Sequence, residues 1–338
     1  MSAADGLTVA VTGPTGDIGK SVVRALERAE GVERIIGMAR RPFDPAEHGW
    51  RRATYRRGDV LDRASVDELV RGAEVVVHLA FIIFGSREET HRVNLEGSRN
   101  VFEAAAAAPA ERLVYASSVA AYGFPEGEAP LTEADEPRGT DRLYYSAQKA
   151  ELESALREAV ASSTVEAYVF RPCIVAGADA PTLITKAVGA VRLGGRLRPL
   201  GRVLGAIPGL KPVLPDNGVP FQLVHHDDVA AAIAAAVTGA GPAGAYNLAG
   251  PGELTAADLA RELGWRSVRV PRAAVTATAE VLSRVPRLPP EVAWLNALRA
   301  PVLMDTSRAR RELGWEPRRD ALATLRETVA GARESGLL

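Results

Sequence analysis

The segment VTGPTGDIGK, residues 11–20, narrows the possible folds of this chain more than any other. It sets Gly13, Gly16 and Gly19 between a strand-like LTVAVTG and a helix-patterned DIGKSVVRALERA. A chain that passes from strand to helix so abruptly must turn sharply, and glycine permits the turn because it has no Cβ. The same residues let a pyrophosphate approach the backbone at the helix N-terminus. In this strand-turn-helix setting the glycine spacing predicts a dinucleotide-binding unit. Its phosphate loop would contain Gly13, Thr15, Gly16, Asp17, Ile18 and Gly19.

Downstream, RIIGMA, EVVVHLA, RLVYASS and EAYVFRP read as strands that are apolar on both faces, separated by helical patterns such as ASVDELVRG and NLEGSRNVFEAAAAA. That alternation predicts an α/β fold, a doubly wound parallel sheet of the Rossmann type. The expected organisation is a nucleotide domain over 1–177, to which 219–250 returns, with 178–218 and 251–338 forming a smaller, mostly helical substrate domain. Residues 180–215 carry Lys186, Arg192, Arg196, Arg198, Arg202 and Lys211 without an acid, a pattern that suits a solvated helical insert or lid, with an anion-binding or membrane-touching surface as the alternative. RELGW occurs at 261–265 and again at 311–315, reading as two similar helix ends with glycine at C′.

The chain has 338 residues, with 41 lysines plus arginines against 42 acids, so no net field draws it to nucleic acid or to an anionic membrane. A single cysteine, Cys173, excludes an intrachain disulfide and fits a reducing cytoplasm; by default it is a small buried filler. MSAADG offers neither a basic nor an apolar leader region, and the alanine-rich stretch from Val229 is broken by Gly and Pro, so neither a secretory signal nor a membrane span is expected. His225 and His226 before Asp227 and Asp228 invite a metal reading, but no further ligand set accompanies them. If they share a strand, the two rings point to opposite faces, and no metal is expected.

About twenty residues past the last glycine, the sequence GMARRPFD has Ala39 where an acid would hold the ribose of NAD, followed by Arg40 and Arg41. A guanidinium can grip a 2′-phosphate in a forked hydrogen-bonded pair, so NADP is the preferred cofactor and NAD the alternative, with Asp44 close by. In YYSAQKAELESAL, residues 144–156, a helix would place Tyr145 and Lys149 on one face and turn Tyr144 away.

Taken together, these motifs resemble an extended short-chain dehydrogenase/reductase of the NAD-dependent epimerase/dehydratase group. The resemblance is carried by TGPTGDIG, GDVLD (58–62), HLA (78–80), NLEGS (94–98), YASSVAAYG (115–123), YSAQK (145–149), RPCIVAG (171–177), VHHDDVA (224–230), YNLAG and DTSRARRELGWEP. They follow one another in that order over nearly the whole chain. The resemblance makes Asp59 and Val60 adenine contacts, sets Leu79 and Ala80 against the middle of the cofactor and puts Pro172 beside the nicotinamide. Ser118 aligns with the catalytic serine, its neighbour Ser117 reads as support and Tyr122 as packing, and Asn94 aligns with a position near the substrate that could equally stabilise a helix. Relatives dimerise through helices like those beginning near Arg92 and Tyr144, so a homodimer is implied.

On this reading Tyr145 exchanges a proton with the substrate oxygen and Ser118 hydrogen-bonds that oxygen. Lys149 stabilises the tyrosinate against its usual pKa near 10 and, by resemblance, holds the nicotinamide ribose. The nucleotide-sugar enzymes of the group commonly carry an Asn and an Arg where this chain has Ile174 and Phe221. With Phe81 near the expected mouth, these residues suit a fairly apolar small-molecule substrate bearing a hydroxyl or ketone. A nucleotide-sugar epimerase or dehydratase, and a non-catalytic NAD(P)-sensing module, remain the alternatives.

Overall fold

The structure is a computed structural model and describes residues 6–83, 85–125, 127, 129–181, 211–274 and 300–338. Most of the basic 180–215 stretch, with five of its six cations, lies outside the described residues.

Eleven strands are described: β1 (Leu7–Thr12), β2 (Val32–Ala39), β3 (Ala53–Arg57), β4 (Val75–His78), β5 (Arg112–Ala116), β6 (Glu166–Pro172), β7 (Ile174–Ala176), β8 (Val213–Asp216), β9 (Leu223–His225), β10 (Gly244–Leu248) and β11 (Arg266–Arg269). Seven of them form one parallel sheet in the order β10-β6-β5-β4-β1-β2-β3. The order reverses direction at β1, and in open α/β sheets ligands bind outside the carboxyl ends of the strands at such a switch point. β7 pairs with β9 and β8 with β11, both in parallel.

The helices are α1 (Gly19–Leu26), α2 (Arg63–Val70), α3 (Arg87–His91), α4 (Gly97–Ala107), α5 (Tyr144–Val160), α6 (His226–Val237), α7 (Ala256–Leu263), α8 (Ser307–Leu313) and α9 (Ala321–Glu334). A π turn, Arg92–Glu96, joins α3 to α4. Side chains alternate across the sheet, so Val9 and Val11 pack with Val22, Val23 and Leu26 of α1 and Ile233 of α6. Ala10, Val76 and Leu113 face the other way, against Leu69 of α2, Phe102 of α4 and Leu152 of α5. Both faces of the central strands are therefore buried, which is why their sequences read as continuous apolar runs. A further cluster joins Ala176 and Leu223 to Leu254, Leu259, Leu263, Leu325 and Val329 around α7 and α9.

The repeated RELGW marks two helix ends, as its glycines suggested. Gly264 closes α7 at φ 75° and Gly314 closes α8 at φ 62°, left-handed conformations that a Cβ disfavours. The expectation for the histidine pair requires correction. His225 is the last residue of β9 and the N-cap of α6, so the strand stops between the two rings and its alternation no longer applies. The ring centroids lie 4.1 Å apart. His225, His226 and Glu327 bring ligand-type atoms within 4.8 Å of one another. His225 Nδ1, however, accepts the Asp227 backbone N–H at 3.1 Å, which puts the ring proton on Nε2, facing Glu327 Oε1 at 2.9 Å. That proton occupies the lone pair a metal would need, and the contact instead ties α6 to α9.

Candidate active site

The glycine loop leaves β1 at Thr12. Gly13 has φ 71°, and a Cβ there would meet the Ala80 backbone at about 2.9 Å, so this position requires glycine for both conformation and space. At Gly19 a Cβ would run into the Gly13 carbonyl, which fixes how closely α1 can approach the strand end. Thr15, Gly16 and Asp17 are exposed, and Ile18 is half-buried. A Cβ on Gly16 would meet nothing closer than 3.6 Å, so the backbone is open to an approaching group. A tight turn, an open glycine and the start of a helix together fit a dinucleotide pyrophosphate.

The remaining predicted nucleotide residues stand at the carboxyl ends of neighbouring strands. Arg40 and Arg41 follow β2 directly and are exposed. Asp59 and Val60 lie just past β3; Val60 is buried, and its carbonyl accepts a hydrogen bond from Asn100 at 2.9 Å. Leu79 and Ala80 follow β4, and both backbone N–H groups donate to Thr12 Oγ1 at 3.3 Å. Pro172 ends β6, and Cys173 after it is buried, which pushes its thiol pKa up.

Ser118 follows β5 and caps a 3-10 turn, Val119–Tyr122, by accepting the Ala120 N–H at 3.2 Å. The turn is fixed to α5 where Ser146 Oγ donates to the Ala120 carbonyl at 2.6 Å. The serine is thereby brought to Tyr145, with which it is hydrogen-bonded. Tyr145, Lys149 and Ser118 are all buried, with exposures of 8%, 3% and 8%. Tyr144 is half-buried on another side of α5, and its hydroxyl reaches the Gly85 carbonyl at 3.5 Å. The helical spacing thus separates the two tyrosines as expected.

Burial dominates the resting electrostatics of the pair. Burial pushes the Tyr145 hydroxyl up to about 12, and only the hydrogen bond from Ser118 opposes it. Lys149 directs its ammonium elsewhere. It donates to the Ala116 carbonyl at 2.8 Å and to the Tyr115 hydroxyl at 3.2 Å, and it lies 3.8 Å from the centroid of the Phe81 ring. These are the polar and π-rich groups that a desolvated cation seeks. Burial lowers the Lys149 pKa to about 7, against the opposing charge of Glu153.

Of the predicted substrate residues, Phe81 meets Tyr145 edge-on at 5.6 Å. Ile83 and Phe124 pack against the same small cluster of Ala120, Leu143 and Tyr145. Phe124 has φ 56°, the one positive φ outside glycine among the described residues, a strained conformation for so bulky a side chain. Ile174 and Phe221 lie instead in the cluster around α7 and α9. Asn94 is fully buried and engaged as a brace: its amide group bonds both the N–H and the carbonyl of Ile82, at 2.8 and 2.9 Å, and reaches Gln148 at 3.0 Å. It fixes the loop that carries Phe81.

Sequence reasoning missed a buried network behind Ser118, Tyr145 and Lys149. Glu153 accepts from Arg171 at 2.6 Å and from Ser117 Oγ at 2.5 Å; Arg171 also donates to Tyr122, whose hydroxyl lies 2.7 Å from Asn247 Oδ1. The available signal was helical spacing, since Tyr145, Lys149 and Glu153 follow at successive intervals of four.

A family model described as "NAD dependent epimerase/dehydratase family" matches residues 9–249. A 2-alkyl-3-oxoalkanoate reductase from Shewanella oneidensis is 30% identical over 200 residues, 57% of this chain; the chain spans about half, 50%, of that relative's length. A ceramide reductase from Caulobacter vibrioides is 32% identical over 232 residues, 67% of this chain and 60% of the relative. Among solved structures, the enzyme WbmH from Bordetella bronchiseptica in complex with NAD+ superposes with a TM-score of 0.69 at 21% identity, covering 98% of this chain and 99% of that one. Among the described residues no helix is long and apolar enough to cross a membrane.

Proposed function

The chain belongs to the NAD dependent epimerase/dehydratase family of oxidoreductase- and epimerase-type enzymes, and on that premise we propose that it reduces a ketone, or oxidises the matching alcohol, on a fairly apolar small molecule. The observation that carries this reading is the hydrogen bond between Ser118 and Tyr145, with Lys149 one turn along α5, beside a wall formed by Phe81, Ile83 and Phe124. A bound nicotinamide supplies or accepts the hydride. Tyr145, protonated while its pKa stands near 12, gives its hydroxyl proton to the carbonyl oxygen as that oxygen gains charge. Ser118 donates a hydrogen bond to the same oxygen, and the Lys149 ammonium, one turn along α5, opposes the charge left on Tyr145 through space rather than through a direct hydrogen bond.

Two relatives bear the names of reductases acting on a 2-alkyl-3-oxoalkanoate and on ceramide, which supports a substrate with an alkyl part. NADP is the proposed cofactor form. Ala39 closes β2 without a carboxylate, and the exposed Arg40 and Arg41 that follow can face a 2′-phosphate. A cytoplasmic homodimer, with α4 and α5 at the subunit contact, completes the reading.

The test is a panel of alkyl and aryl ketones and alcohols assayed with NADPH and NADH. Turnover of apolar members that consumes nucleotide stoichiometrically supports the proposal. Interconversion of a UDP- or dTDP-linked sugar without net nucleotide oxidation replaces it with the epimerase or dehydratase reading.

A further inference from the structure

We propose that Glu153 is a positioning residue for the proton-transfer pair, its carboxylate holding Lys149 in the ammonium form inside the protein. The inference rests on the reading of Tyr145 and Lys149 as that pair and adds the group that keeps it charged. Four observations carry it.

Tyr145, Lys149 and Glu153 occupy one buried face of α5, so the carboxylate stands one turn beyond the ammonium. Glu153 is 2% exposed, a setting in which a carboxylate is rarely kept without a purpose or a partner.

Second, its geometry is locked. Arg171 Nε lies 3.0 and 3.2 Å from the two carboxylate oxygens, a second guanidinium nitrogen lies 2.6 Å from Oε2, and the Ser117 hydroxyl donates to Oε1. Ser117 precedes Ser118, so the same carboxylate is tied to the strand end that presents the catalytic serine.

Third, the groups around Lys149 leave Glu153 as its anionic neighbour among the described residues. β5 presents the neutral Tyr115 hydroxyl and the Ala116 carbonyl. β4 presents His78, held neutral by burial, and α5 itself presents Tyr145, also neutral. β6 contributes the Arg171 guanidinium, a like charge paired to Glu153. Without Glu153, Lys149 would be a desolvated cation facing dipoles, two neutral phenols and an unpaired guanidinium.

Fourth, the chain has four lysines, Lys20, Lys149, Lys186 and Lys211, and otherwise uses arginine for its cations. A lysine at 149 is compact and can lose its proton on burial, as an arginine cannot, so its charge must be secured by a neighbour.

The test is a titration by NMR of protein labelled with 13C and 15N at lysine only, which gives four side-chain signals, Lys149 being assigned from Lys149→Met. In Glu153→Gln the Lys149 signal should titrate at least about one pH unit below its wild-type midpoint, the scale expected for losing a nearby opposite charge. Glu153→Asp, which keeps the charge, should restore most of the difference. Where Glu153→Gln leaves Arg171 uncompensated and the protein fails to fold, Glu153→Met/Arg171→Met should titrate with a lower Lys149 midpoint than Arg171→Met alone, the like charge being absent from both. In turnover with NADPH, the high-pH limb of kcat/KM should move down in parallel.

An unchanged Lys149 midpoint in the folded Gln variant, or in the double variant relative to Arg171→Met, overturns the proposal, and a loss of activity without a shifted limb assigns Glu153 to fold maintenance alone. The titration does not depend on turnover. Absence of activity on every carbonyl would therefore count against the proposed function while leaving this inference to the NMR result.

Discussion

Thr12 Oγ1 lies 2.7 Å from Nδ1 of His78, joining the last residue of β1 to the last residue of β4 beside the glycine loop. Nε2 of the same ring lies 2.8 Å from Ser98 Oγ on α4, so one imidazole ties two strands to a helix. Burial holds that imidazole neutral and lowers its pKa from 6.5 to about 3. Above the unfolded value neither state takes a proton and His78 contributes no slope. Below it the unfolded chain binds a proton that the folded one refuses, so stability falls as pH falls. Between pH 7 and pH 5, wild type should lose about 2 kcal/mol more than His78→Gln, by linkage at ~1.4 kcal/mol per pK unit. Urea unfolding of both proteins at the two pH values checks this; equal losses would place the acid sensitivity elsewhere.

Nucleotide choice turns on the end of β2. Calorimetric titration should show NADPH binding more tightly than NADH, with Arg40→Ala weakening NADPH by about tenfold, the loss of one charge-assisted contact. NADH affinity should hardly move. Preference for NADH, or an indifferent variant, would refute the assignment of Arg40 to the 2′-phosphate and restore NAD as the cofactor.

Tyr145→Phe removes one hydroxyl from a buried helix face and leaves the ring that meets Phe81. Its kcat should fall by roughly 10²- to 10⁴-fold, the usual contribution of a positioned proton donor. The melting temperature should stay within a few degrees. A variant with near wild-type turnover would transfer the proton-transfer role to another group.

Gly19→Ala introduces a Cβ onto the Gly13 carbonyl and the Pro14 backbone. Backbone atoms cannot swing aside as a flexible side chain can, so α1 must shift away from the end of β1. Stability should drop by about 1–3 kcal/mol, as for other overpacked sites, and nucleotide affinity should fall with it. Gly31→Ala, where no atom lies within 4 Å of the added Cβ, serves as the comparison for steric crowding, although its φ of 81° carries a backbone cost.

Local pattern made much of this protein legible. The glycine loop, the doubly apolar strands, the Tyr145–Lys149 spacing and the two RELGW helix ends all depend on residues a few positions apart, where backbone geometry follows from side-chain size and period. Those features determined the α/β fold and pointed to the carboxyl ends of its strands.

Only the tertiary structure decided what the site residues face. Glu153 meets Arg171 because α5 packs on β6, Asn94 braces Ile82 and Gln148 across the loop, and the two histidine rings meet at a tilt because β9 ends between them. Lys149 turns toward Ala116, Tyr115 and Phe81, and Tyr145 has its pKa raised, because both are desolvated by segments distant in sequence. Periodicity fixes which face of a helix is buried. The charges and dipoles that face meets depend on chain crossings whose energies no local window contains.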